Sequence, residues 1–91
     1  MATDPAHSAS KPTILCVASY FKGNDFIRQA KAEGAHVILL TGEALLKKPW
    51  ARESIDEIFA LPNLYDRRAM INAVSYLART RDITRMTPLD D

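Results

Sequence analysis

Residues 13–26 read TILCVASYFKGNDF, and the fold turns on how this stretch is parsed. Its first seven residues, TILCVAS, are apolar, rich in β-formers and preceded by a polar leader. An apolar run of that length reads as a strand buried on both faces, the kind found in parallel sheets. Ser19, Tyr20, Phe21 and Lys22 then lead to a single glycine, Gly23. Asn24 or Asp25 suits an N-cap, whose side-chain oxygen accepts a backbone N–H. Phe26, Ile27 and Ala30 follow at helical spacing as a core face, with Arg28, Lys31 and Glu33 on the solvent face. Strand, turn and helix open like a nucleotide-binding α/β unit, yet the turn is poor in glycine.

Beyond this unit the alternation continues. Gly34 stops the helix, because glycine takes the left-handed C′ conformation without a Cβ clash. HVILLT (36–41) is a second strand. EALLKK (43–48) has high helix propensity but meets Pro49, and WARESI (50–55) reads as a further helical turn. DEIFAL (56–61) is a third strand, whose charged start and short length suit a sheet edge. Asp66 caps a helix over 67–81, in which Met70, Ala73, Val74, Leu77 and Ala78 recur at three and four. ITRMTPL (83–89) is a fourth strand.

The order βαβαβαβ implies right-handed crossovers and one parallel sheet. The expectation is an α/β, Rossmann-like three-layer domain with four parallel strands in the order 3-2-1-4. It spans residues 13–91, behind a disordered leader at 1–12.

Bulk properties narrow the function classes. At 91 residues the chain holds one small domain, and 47% hydrophobic residues suffice for one core. A net charge of +1 gives no case for nucleic acid or an anionic membrane. No apolar run approaches the roughly 20 residues of a membrane helix, and the N-terminus lacks the apolar region of a signal peptide. A cytoplasmic protein is the expectation. Cys16, the lone cysteine, excludes a disulfide framework and reads as a buried small hydrophobe. His7 and His36 form no cluster. Trp50 after Pro49 reads as a packing plug, and Arg67-Arg68 and Arg79/Arg81 read as solvated helix ends.

In an open parallel sheet, ligands bind beyond the C-terminal strand ends, where strand order reverses. Segments 19–23, 41–43, 62–65 and 88–91 reach that crest. The first would face Asp90 and Asp91 across the switch point. A dinucleotide site would use Glu43, about twenty residues past Gly23, on a ribose hydroxyl, but it needs three glycines where this turn has one. Tyr20 and Phe21 would also crowd the pyrophosphate. A P-loop needs Gly-Lys-Ser/Thr, and Lys22 precedes its glycine. A phospho-accepting receiver domain would need an aspartate after strand 3, where Leu61-Pro62-Asn63 stands.

The pieces ASYFKGN, PW.RE.IDE.FALP.LY, INAVSYLARTR.I and PLDD, taken together, resemble the N-terminal region of bacterial ATP-grasp proteins related to biotin carboxylase and the carbamoyl-phosphate synthase large chain. The resemblance covers nearly everything after Pro12. It implies a Rossmann-like preATP-grasp domain, followed in the family by two lobes that grip ATP and Mg. Such proteins activate a carboxylate as an acyl phosphate, which an amine or similar nucleophile attacks.

On that resemblance the nucleotide is held elsewhere, and the crest turn is a substrate-side or interdomain surface. The sequence ends after strand 4, and the expectation on this resemblance is a domain without those lobes. No ATP or Mg ligand carries over, and the isolated chain is expected to lack ligase activity. The expected partners are those lobes, or a second copy through exposed apolar surface. Ser19, Tyr20, Lys22 and Asp90 are the substrate-side candidates: Tyr20 and Lys22 for an anionic group, Asp90 for an amine. The alternative is a stand-alone, non-catalytic Rossmann-like binding or interaction module.

Overall fold

A computed structural model of the chain describes residues 11–89. The elements are β1 (Thr13–Ala18), α1 (Asn24–Ala32), β2 (His36–Gly42), two 3₁₀ turns (Glu43–Leu45 and Arg52–Ser54), β3 (Glu57–Leu61), α2 (Arg67–Thr80) and β4 (Arg85–Pro88). The four strands form one all-parallel sheet in the order β3-β2-β1-β4. Asp90 and Asp91, and most of the expected leader, lie outside the described residues. At Pro12 the chain is already tied to the sheet, since its carbonyl accepts the His36 N–H at 2.7 Å.

Side chains alternate across a strand, so each central strand feeds two cores. Cys16, Ala18, Val37 and Leu39 pack with Ile27 and Ala30 of α1 and with Trp50. Leu15, Ile38 and Leu40 pack on the other face with Leu77 of α2 and the partly buried Met70, Ala73, Val74 and Phe59. The chain moves from β1 to β2 to β3 with its connections on the first face. It then returns to β4 across the second face. Reversing both direction and face keeps one handedness throughout.

Local signals explain several boundaries. Gly34, at φ 94°, ends α1. Its N–H reaches the Lys31 carbonyl at 2.9 Å, and the Ala35 N–H reaches the Ala30 carbonyl at 3.1 Å. Those two bonds are a Schellman ending. Asp66 caps α2 by accepting the Ala69 N–H at 3.1 Å.

Between β2 and β3 the α-helix that the alternation implies is corrected to two 3₁₀ turns, the second of them inside the helical turn expected at 50–55. An α-helix through Leu45 would need an N–H at position 49, and Pro49 has none. The Leu45 carbonyl instead accepts the Trp50 indole N–H at 2.9 Å and the Lys48 N–H at 3.0 Å. Each remaining piece is too short to repay helix nucleation.

Two further expectations are corrected at the helix ends. Neither Asn24 nor Asp25 caps α1, whose N-cap is Gly23 with no side-chain cap bond. Arg81 is no solvated helix end. Its guanidinium pairs with Glu57, with Nε 2.9 Å from Oε2, and lies 5.1 Å from the Phe59 ring centroid.

Candidate functional site

The crest is built from the loops that follow β1, β2 and β3. Beneath them the buried Thr41 hydroxyl donates to the Ala18 carbonyl at 2.7 Å, which ties the ends of β1 and β2 together. A cavity of about 340 Å³ opens above. It is lined by Ser19 and Tyr20 from the first loop, Gly42 and Ala44 from the second, and Asn63 and Tyr65 from the third. Tyr20 and Tyr65 are 64% and 76% exposed, so two aromatic rings stand at the mouth with little burial of their own. The third loop is held by Asn63, whose Oδ1 accepts the Tyr65 N–H at 2.9 Å.

The switch point between β1 and β4 is filled differently. Gly23 sits at φ 105°, and a Cβ there would lie 2.8 Å from Leu89 Cδ1 and 2.9 Å from Leu89 Cβ. Leu89 is buried, and its N–H bonds to the Val17 carbonyl at 2.9 Å. In a dinucleotide site a glycine admits the pyrophosphate to the backbone. Here a leucine side chain fills that approach, so the turn's one glycine serves packing and a left-handed bend.

The rest of the turn is anchored to Trp50. Phe21 meets the indole edge-to-face, with centroids 5.0 Å apart at 87°. Asn24 clamps the chain on both sides of the tryptophan. Its Nδ2 donates to the Pro49 carbonyl at 3.1 Å, and its Oδ1 accepts the Ala51 N–H at 2.8 Å. That employment explains why Asn24 does not cap its own helix. Trp50 is 4% exposed, in keeping with a packing role.

Of the four sequence candidates, Ser19 and Tyr20 come together in the crest cavity, and Lys22 is exposed but is not among the residues lining it. Asp90 lies outside the described residues. Asn63 and Tyr65 lie in the 62–65 segment expected at the crest, and both line the cavity. Their signal is the turn chemistry of Pro62-Asn63 directly after a strand.

Titratable groups concentrate at the opposite end of the sheet. His36 Nε2 lies 2.8 Å from Glu57 Oε2, and Lys31 Nζ lies 2.8 Å from Asp56 Oδ1. Hydrogen bonds from Arg81, then His36, pull the Glu57 carboxyl down to about 2. Burial pushes Asp56 up, but the Lys31 ammonium and the Val37 N–H, with lesser help from His36, hold it below the usual range. Each charge has a partner, so this end is a staple between β2, β3 and both helices. Burial raises the Cys16 thiol to about 11 against the opposing charge of Arg85, which removes it as a nucleophile near neutral pH. Among the described residues no group of three or more His, Cys, Asp or Glu side chains could hold a metal ion, and no helix is long and apolar enough to cross a membrane.

No protein-family model matches this chain, and neither a curated protein nor a solved structure does so.

Proposed function

We propose that this chain is the N-terminal, preATP-grasp domain of an ATP-grasp ligase, a protein that activates a carboxylate with ATP and joins it to an amine or similar nucleophile. In this reading the domain supplies a wall of the acceptor-substrate site and an interdomain surface, and it holds no nucleotide itself. The observation that carries the reading is the Leu89 side chain seated on Gly23. It turns the switch point of a 3-2-1-4 parallel sheet from a phosphate approach into core. The open volume is left above β1–β3, where Ser19 and Tyr20 line it. Ser19 offers a hydroxyl and Tyr20 a ring and a phenol to an acceptor there. Lys22, outside the lining, bears on an anionic group only as a flanking charge, and Asp90 is kept from the sequence as the residue proposed to orient the amine.

The test is the reading frame of the source transcript past codon 91. The proposal expects an open frame that encodes two ATP-gripping lobes. A stop codon after Asp91 would overturn it. In the longer enzyme, Tyr20→Ala should raise the acceptor KM and leave the KM for ATP unchanged.

A second reading draws on the apolar groove beside β4, lined by Val17, Met70, Val74, Met86 and Pro88. A free-standing, non-catalytic interaction module would use that groove rather than the crest. A stop codon after Asp91 would favour it.

A further inference from the structure

The second face of the sheet is only partly covered. α2 lies over β2 and β3 and the inner side of β1, and only Leu77 of its fourteen residues is buried. Toward β4 a cavity of about 290 Å³ remains, lined by Val17 of β1, Met70 and Val74 of α2, and Met86 and Pro88 of β4. Met86 is 56% exposed on this strand and Ile71, the residue after Met70, is 54% exposed on the helix. The groove therefore runs between a helix and a strand, with no polar side chain among its lining.

Among the described residues, the helix and strand that form it carry charge of one sign. α2, RRAMINAVSYLART, carries Arg67, Arg68 and Arg79 and no acid, and β4, RMTP, carries none either. Arg67 lies one helical turn before Met70 and Ile71, on the same strip of the helix. With Arg68, Ile71 and Asn72 it lines a shallow hollow of about 460 Å³. Among the described residues no carboxylate pairs with Arg67, Arg68 or Arg79. Of the acids that flank α2 in sequence, Asp66 caps its start and Asp82 follows its end; Asp90 and Asp91, which follow β4, lie outside the described residues.

We infer that the groove between α2 and β4 is a docking site for an amphipathic helix of a partner protein, one with an apolar stripe flanked by acidic residues. The apolar stripe fills the Val17–Met70–Val74–Met86–Pro88 groove as a neighbouring helix packs on a sheet face. The acidic flank meets Arg67 and Arg68. Charge argues against a second copy as the occupant. A two-fold pairing of this face would set one acid-free, arginine-bearing helix against another, and like charges oppose such contacts. The inference rests on the second reading, in which this groove is the interaction surface, and peptide binding tests it separately from the reading-frame test of the ligase reading.

The test uses the 91-residue chain and two synthetic helical peptides of about 18 residues each. Both carry leucines at i, i+3, i+4 and i+7. One has glutamates along the flanks, the other lysines at the same places. Binding is followed through the Val and Met methyl NMR signals. The Glu-flanked peptide should shift Val17, Met70, Val74 and Met86 saturably and bind about tenfold more tightly than its Lys-flanked twin. The double variant Arg67→Glu/Arg68→Glu should reverse that preference, and Met86→Glu should abolish binding of both peptides. All three side chains are exposed, so the folded state is checked by unchanged Trp50 fluorescence. Equal affinity for the two peptides, no binding, or shifts that map elsewhere would overturn the inference. So would a dimer in sedimentation that Met86→Glu dissociates, which assigns the groove to a second copy. Saturable binding to phosphatidylserine vesicles with neither peptide bound would assign it to a lipid surface and overturn it equally.

Discussion

Leu89 and Gly23 meet across the switch point of the sheet, with the leucine Cδ1 2.8 Å from where a Cβ on residue 23 would stand. The glycine is needed twice over, for its left-handed φ of 105° and for the space it leaves. Gly23→Ala should therefore cost roughly 3 kcal/mol, from left-handed strain plus overpacking. Gly42→Ala is the control. Its φ is −87° and the nearest atoms to an added Cβ lie at 3.9 Å, so urea denaturation should show little change there. Equal losses at the two glycines would contradict the packing role.

The same contact read from the other side predicts the cost of Leu89→Ala. Truncating this buried side chain leaves a void above Gly23 and should destabilise the fold by about 2–4 kcal/mol. Thermal unfolding followed by circular dichroism measures it. A loss within the error of a surface substitution would mean that the switch point is not packed as described.

Asn24 distinguishes a clamp from a cap. Serine is as good an N-cap as asparagine, but it is too short to bridge Pro49 and Ala51. Asn24→Ser and Asn24→Ala should both lose about 1–3 kcal/mol by leaving the buried Ala51 N–H without a partner, and both should red-shift Trp50 emission. Full rescue by serine would restore the capping role.

Acid stability should follow Glu57. Its folded-state value is depressed to about 2 from an ordinary 4.5. A depressed carboxyl stabilises the fold above the unfolded value and loses that contribution as pH falls through the folded one. The stability curve should thus decline between about pH 4.5 and 2. Glu57→Gln should flatten that decline and cost about 1 kcal/mol at neutral pH, a partly exposed pair being screened by solvent. An unchanged acid limb in the variant would contradict the assignment.

Cys16 should resist thiol reagents in the folded protein. It is fully buried and its thiol is raised to about 11. Labelling with a chromogenic disulfide at pH 8 should proceed no faster than unfolding allows. Rapid native-state labelling would refute it.

The sheet was legible because apolar runs of strand length alternate with helical spacing, and the order expected for that alternation, 3-2-1-4, is the common one, which the sheet has. The ends of α1 and α2 were legible at Gly34 and Asp66, where local chemistry decides. The 43–55 segment was not. Its helix propensity is real, but a missing N–H at Pro49 and a distant use of the Leu45 carbonyl by Trp50 override it. Asn24 misled for the same reason, since its bonds to Pro49 and Ala51 span 25 and 27 residues of sequence. At the crest, the three converging segments could be read from the topology. The filling of the switch point could not, because the Leu89–Gly23 contact joins residues that only the closed sheet brings together.

The most direct measurement is the Gly23 amide resonance during separate titrations with NAD and with Mg-ATP. A crest whose switch point is filled by Leu89 predicts no saturable shift at Gly23 or in the first turn of α1 with either nucleotide. A saturable shift at Gly23 with either one would place a phosphate where Leu89 now packs, and would contradict the account.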